Sequence, residues 1–185
     1  MAIPNLKRIF AGKDLKVGHS IFEFSSPGLG QIIAGAGVDF VFLDMEHSGF
    51  GITETKGIIA GLRAGNVPAL VRPPSNAYHH IARALDVGAD GLAMPMVGSA
   101  AEAEHIVSCM KYPPMGKRGV ALGIAHDRYR PGDTAKTLAD ANRRTAFAAL
   151  IETEEGVRNI DAIARVKGVD CLWIGHFDLS CSLGI

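Results

Sequence analysis

A few short segments of this chain combine residue types that do chemistry. Asp44-Met45-Glu46-His47 follows an apolar run and could supply a general base with a carboxylate to orient it, although the same four residues would also serve as a polar loop. Arg72, in Val71-Arg72-Pro73, could polarise a carbonyl oxygen or hold a carboxylate in its bidentate fork; a structural salt bridge is the competing role. Glu152 closes Leu150-Ile151-Glu152-Thr153, and Asp178 follows Trp173-Ile174-Gly175-His176-Phe177 one structural unit later. Two carboxylates converging with no nearby cation in sequence would repel, and a divalent ion resolves that. Mg²⁺ accepts one or two protein carboxylates and keeps its other positions for water or substrate, and Mn²⁺ suits the same ligands. Acids that balance a helix macrodipole are the alternative. That role fits Glu154 and Glu155 better than Glu152, which belongs to a strand.

Other reactive types read more plainly. His79-His80 opens a helix with no third ligand in sight, and His105 reads as a solvent-facing helix residue. His126-Asp127-Arg128 lies on a Pro- and Gly-rich excursion, Tyr112 to Gly132, which is expected above the sheet where it could close over a substrate. Cys109, Cys171 and Cys181 lack CxxC spacing and resemble reduced thiols of a cytoplasmic protein. No lysine follows a strand, so imine chemistry ranks below metal-assisted enolate chemistry.

The elements that must position these groups are legible as apolar runs. Val17–Phe22, Phe40–Leu43, Ala69–Val71, Leu92–Met94, Phe147–Ile151 and Cys171–Ile174 are too short for helices and mostly apolar on both faces, as covered parallel strands are. Helix-period segments separate them, carrying Ile58, Ile59 and Leu62; Ile81, Ala84 and Leu85; Ala103, Ile106, Val107 and Met110; and one stretch with Val157, Ile160, Ile163 and Ala164. Pro27 suits the first turn of a further helix, and Ser99 with Glu102 reads as a capping box. Gly37-Val38-Asp39, Gly88-Ala89-Asp90 and Gly168-Val169-Asp170 repeat a helix-end-to-strand junction.

Six βα units allow an open sheet or a barrel. The dinucleotide fingerprint is absent, because Gly28-Leu29-Gly30 is followed by Gln31-Ile32-Ile33. Glu23, Asp44, Glu46, His47, Arg72, Glu152 and Asp178 sit at the ends of several strands, as in a (β/α)8 TIM barrel, rather than at one switch point. The expectation is one barrel domain over residues 1–185 with about six of eight units, lacking the last two βα units. Six strands leave two free edges, so residues 1–185 alone are expected to be aggregation-prone or poorly folded. With 185 residues, 48% of them hydrophobic, and 19 basic against 19 acidic side chains, the composition excludes disorder and argues against nucleic-acid binding; no apolar run approaches the roughly 18 residues of a membrane span.

The ordered set Asp44-Met45-Glu46-His47, Val71-Arg72-Pro73, Met94-Pro95-Met96-Val97, Tyr112-Pro113-Pro114-Met115-Gly116-Lys117-Arg118-Gly119-Val120, Ile151-Glu152-Thr153 and Gly175-His176-Phe177-Asp178-Leu179-Ser180 resembles the HpcH/HpaI aldolases, metal-dependent class II 2-keto-acid aldolases. The resemblance runs from about Val17 to the last residue. It implies a (β/α)8 barrel, a homo-hexamer, and cleavage of a 4-hydroxy-2-oxo acid to pyruvate or a close 2-oxo acid plus an aldehyde. It makes His47 the base, Arg72 the group that stabilises the enolate oxygen, and Glu152 and Asp178 ligands of Mg²⁺ or Mn²⁺, with Co²⁺ a further option. Asp178 also lies near the keto-acid carboxylate. Asp86 matches an aspartate that raises the basicity of the histidine from a neighbouring subunit. Leu150 stands where the family commonly has glutamine, and His176-Phe177 where it has Pro-Ala, so an altered keto-acid preference is expected. A decarboxylase or other lyase using the same enolate, and a non-catalytic barrel fragment, are the alternatives.

Overall fold

A computed structural model describes residues 5–130 and 132–185. Six strands, β1 (Gly18–Ile21), β2 (Phe40–Asp44), β3 (Ala69–Arg72), β4 (Gly91–Met94), β5 (Ala146–Ile151) and β6 (Cys171–Ile174), lie side by side in chain order. Every pair is parallel. Each expected strand is present within a residue or two of its expected limits. An order that never reverses has no switch point, so the sheet is the curled arc of a partial barrel rather than a doubly wound sheet.

Alternation along the strands separates two apolar layers. Val41, Leu43, Ala69, Val71, Leu92, Met94, Phe147, Ala149 and Ile151 face outward. Against them pack α2 (Leu29–Gly35), α3 (Ile52–Ala64), α4 (Tyr78–Asp86) and α5 (Ala100–Met110). Phe42, Leu70, Ala93, Ala146, Ala148, Leu150 and Trp173 face inward, and Leu6 and Ile9 of α1 (Leu6–Phe10) plug the inside near the strand starts. Gly30 belongs to this packing rather than to a nucleotide loop: a Cβ there would meet the Gly61 carbonyl oxygen at 1.9 Å, so α2 and α3 touch backbone to backbone.

Gly37, Gly88 and Gly168 take φ of +75°, +111° and +117°, the left-handed turns the repeated junction requires. Ser99 caps α5 by accepting from the Glu102 N–H at 3.2 Å, while the Glu102 carboxylate accepts from Gly98 rather than from Ser99 itself. Pro27 stands in the turn before α2, which starts at Leu29. The stretch expected as one helix is two, α7 (Glu154–Arg158) and α8 (Ile160–Ala164). They break at Asn159, whose amide donates to the Gly98 carbonyl at 2.8 Å and holds the bend.

The excursion is not where the sequence reading put it. It joins α5, whose C-terminal end lies at the strand starts, to α6 (Thr134–Arg144), which leads directly into β5. Arg63, at the C-terminal end of α3, binds the carbonyls of Ala125 and Gly88, which pins the excursion's 3₁₀ turn (Ala125–Asp127) to that underside. His126 is buried there and cannot close over a site at the strand ends. An α-to-β connection must return to the face where strands begin, whatever its length.

Candidate active site

The inward alternation continues past the apolar core. After Phe40 and Phe42 comes Asp44; after Leu70 comes Arg72; after Ala146, Ala148 and Leu150 comes Glu152. The polar groups therefore sit on the inner face at the strands' C-terminal ends, all three essentially buried. Asp44 and Arg72 are also register partners across β2 and β3. Arg72 donates to both Asp44 oxygens, Nε to Oδ1 at 2.8 Å and Nη2 to Oδ2 at 2.5 Å. Its Nη1 is left for Glu46 Oε2 at 3.2 Å and Glu152 Oε1 at 4.0 Å, and its guanidinium rests 5.3 Å from the Phe42 ring centre.

Burial pushes the Asp44 carboxyl up, but the Arg72 fork and the N–H groups of Glu46 and His47 outweigh it and hold the group below the usual carboxylate range. Glu46 moves the other way. Its desolvation, with Glu152 and Asp44 nearby, outweighs Arg72 and His47, so its carboxyl lies above its ordinary value. Desolvation of the Arg72 guanidinium is likewise outweighed by Asp44, Glu46 and Glu152, which raise it.

Glu152 is placed by two features that sequence reading missed. Its Oε2 accepts from the Met96 N–H at 2.7 Å, and Met96 has φ of +56°. A Cβ on Gly175 would lie 2.4 Å from Glu152 Oε1, so only glycine leaves room for the carboxylate. Nothing in the sequence flags Met96. A glycine between a strand and the helix that follows it was the available signal for Gly175.

A cavity of about 330 Å³ opens at this end of the sheet, and His47, Arg72, Leu150, Glu152, Phe177 and Asp178 all line it. Phe42 and Trp173 form its floor, with ring centres 5.0 Å apart. His47 is exposed, its Nε2 3.8 Å from Glu46 Oε2. His176 and Phe177 open α9 (His176–Leu183) and are exposed, their rings tilted at 39° with centres 4.1 Å apart. Leu150 faces inward, as its alternation with Glu152 demands. Asp86 is the one proposed site residue that a single chain does not bring to the cavity. It ends α4 on the opposite face and accepts from Arg118 Nη2 at 2.6 Å. Glu23 lines a separate hollow.

Asp44, Glu46 and Glu152 surround one arginine, and Asp178 shares the same cavity. Asp44 neutralises Arg72, so Glu152 and Asp178 leave an excess of negative charge at the mouth. Among the described residues no group of three or more His, Cys, Asp or Glu gathers into a metal cage. Two carboxylates beside open space are the donor set a hard divalent ion takes when water and substrate complete its shell.

The model of the HpcH/HpaI aldolase/citrate lyase family matches residues 22–185. The chain belongs to that family. Among its relatives, a 5-keto-4-deoxy-D-glucarate aldolase of Shigella boydii is 34% identical over 182 residues, which cover 98% of this chain and 70% of the relative. A 4-hydroxy-2-oxovalerate aldolase of Novosphingobium aromaticivorans is 39% identical over 163 residues, 86% of this chain and 60% of that protein. The crystal structure of an HpcH/HpaI aldolase from Desulfitobacterium hafniense superimposes with a TM-score of 0.89 at 34% identity, covering 97% of this chain and 69% of that one. The chain thus spans between 60% and 70% of the length of these HpcH/HpaI relatives.

Proposed function

We propose that this chain carries the active site of a divalent-metal aldolase, a carbon–carbon lyase that cleaves a 4-hydroxy-2-oxo acid to pyruvate, or a close 2-oxo acid, plus an aldehyde. One observation carries the reading: His47, Arg72, Glu152 and Asp178 line one cavity, with Arg72 locked by Asp44. Glu152 and Asp178 would hold Mg²⁺ or Mn²⁺. When bound, the ion supplies Lewis-acid polarisation of the 2-oxo group.

His47 takes the 4-hydroxyl proton as the C3–C4 bond breaks and the aldehyde leaves. The bonding pair passes to the enolate of the 2-oxo acid, and His47 returns the proton to C3. Glu46, 3.8 Å away, stabilises the imidazolium that forms in between. Arg72 Nη1 is the donor left for the developing oxyanion, because Asp44 holds the other two nitrogens in place. Losing a fixed donor of that kind costs roughly 2.7–4 kcal/mol of transition-state stabilisation. Phe177 presents its backbone N–H, at the start of α9, to the keto-acid carboxylate.

The same reading takes the six βα units as part of a (β/α)8 barrel, supported by the strictly sequential strand order. It also takes the protein as a homo-hexamer, in which Asp86 serves His47 of another copy. Three free cysteines support a cytoplasmic setting. The test follows pyruvate release from a 4-hydroxy-2-oxo acid and deuterium exchange at pyruvate C3, with and without chelator. Both should stop on chelation and return with Mn²⁺. Chelator-insensitive exchange would overturn the metal role, and CO₂ release without aldehyde would make the protein a decarboxylase.

A further inference from the structure

A second hollow, of about 490 Å³, lies on the opposite face, where the strands begin. Its position follows from its lining: Asn5 caps α1, and Arg143 and Arg144 end α6 just before β5. Arg128 and Arg130, on the excursion, line its other side.

The charges in this hollow do not cancel. Four arginines line it against two acids, Asp127 and Asp140. Asp140 pairs with Arg143. Asp127 is spent on backbone, accepting from the N–H of Gly123 at 2.6 Å and of Tyr129 at 3.1 Å. Among the described residues no carboxylate comes within 4.0 Å of Arg128, Arg130 or Arg144; Arg144 is instead anchored on the His126 carbonyl. Asp90, outside the hollow, faces Arg63 first and then Arg144 and Arg128. Burial pushes His126 below its ordinary value, so its ring adds no charge near neutral pH. The lining by itself therefore carries a surplus of two positive charges, part of which Asp90 behind it offsets.

The surroundings hold this arrangement in place. Arg128 and Tyr129 both have left-handed backbones, φ +61° and +57°. For residues other than glycine such conformations are unfavourable and persist where packing enforces them. Here the 3₁₀ turn before them is clamped from two sides, by Arg63 on Ala125 and by Arg144 on His126. His126 is buried, its Nε2–H donating to the Ala121 carbonyl at 2.6 Å, while Nδ1 is buried with no partner.

We propose that this hollow binds a phosphate dianion, carried as the phosphomonoester of a small metabolite. A phosphomonoester carries about −1.5 to −2 charges at neutral pH, matching the surplus of two. Guanidinium groups arriving from the excursion and from α6 approach from different directions. That suits a tetrahedral group with several acceptor oxygens better than one planar carboxylate. The volume falls in the range of small-molecule sites, which leaves room for an organic part beyond the phosphate. The site is distinct from the carboxylate-rich cavity and shares no residue with it.

Calorimetric titration of the full chain at fixed ionic strength tests this, with glycerol 3-phosphate, inorganic phosphate and malonate as probes. Saturable one-to-one binding of glycerol 3-phosphate is expected. It should weaken at least about tenfold in Arg130→Gln and in Arg128→Asn, the loss of one charge-assisted contact; asparagine tolerates the left-handed backbone. Arg158→Gln, a charge change far from the hollow, should bind as the parent does. Equal binding of inorganic phosphate supports the dianion site and identifies free phosphate as its source. Malonate binding as tightly, equal weakening in Arg158→Gln, or no saturable binding each overturns the proposal. Loss of pyruvate exchange with binding intact would strike only the aldolase reading.

Discussion

The two faces of the sheet have opposite electrostatic designs on a chain whose net charge is +0. At the strand ends Asp44, Glu46 and Glu152 crowd one arginine, and at the strand starts four arginines line a hollow with two acids. The acidic face is resolved by a buried bidentate pair, whereas on the basic face Arg143 pairs with Asp140, Arg144 rests on the His126 carbonyl, and neighbouring Arg63 holds the carbonyls of Ala125 and Gly88. A zero balance thus conceals a separation of charge along the strand direction. The two proposed ligands follow that separation: a cation at one end, an anion at the other.

Asp44→Ala should break the contrast most severely. It strands the Arg72 charge in a buried site, and removing one partner of such a pair costs about 3–5 kcal/mol. Denaturant titration should show that loss, together with abolished pyruvate exchange; a stability within 1 kcal/mol of the parent would mean Arg72 finds another partner. Gly175→Ala comes next. The new methyl must displace the Glu152 carboxylate. Metal binding should fall as far as in Glu152→Ala or Asp178→Ala, and unchanged Mn²⁺ affinity would show that Glu152 is not a ligand.

The basic face offers a pH readout. Lys111 is buried with its Nζ donating to the carbonyls of Asn142 and Thr145 at 2.9 and 2.8 Å. Burial, with Lys7 nearby, lowers it from 10.5 to about 8. Between those values the unfolded chain binds more protons than the folded one, so this group makes stability rise with pH from about 8 and contributes no slope well below that. Lys111→Met should flatten that rise in unfolding experiments at pH 7 to 10, and an unaltered slope would refute it. The smallest effect is expected at Leu150, an inward, buried side chain on the cavity wall. Leu150→Gln should tighten pyruvate binding by a few-fold, one net hydrogen bond of about 0.5–1.5 kcal/mol, with metal affinity unchanged. Weaker pyruvate binding would mean the amide finds no partner there.

The six strands were legible because a buried parallel strand is an apolar run, and runs such as Ala146–Ile151 are apolar throughout. Their ends were legible too, because polarity returns at Asp44, Arg72 and Glu152. The contacts between units were not. Asp44 and Arg72 meet through register, and register is a property of pairs of strands that no single run displays. The underside position of His126 was recoverable, since the excursion leaves a helix that ends at the strand starts and the chain must come back to the start of β5; its Pro and Gly content suggested a loop above the sheet instead. Asp86 illustrates a different limit, since one chain pairs it with Arg118 and its proposed partner belongs to another copy.

The Asp44–Arg72 pairing also bears on how the sheet assembles. The two residues are directly opposite in the β2–β3 ladder. Sliding either strand by one residue would turn its charged end outward, into the layer of Ile58, Ile59 and Leu62, and leave its partner unmatched inside. The pair is therefore an alignment key that rejects misregistered sheets during folding. Fidelity of assembly and the geometry of the proposed active site then rest on the same two side chains. An evolutionary route to new chemistry at this site has to install a replacement key before it can retire the old one.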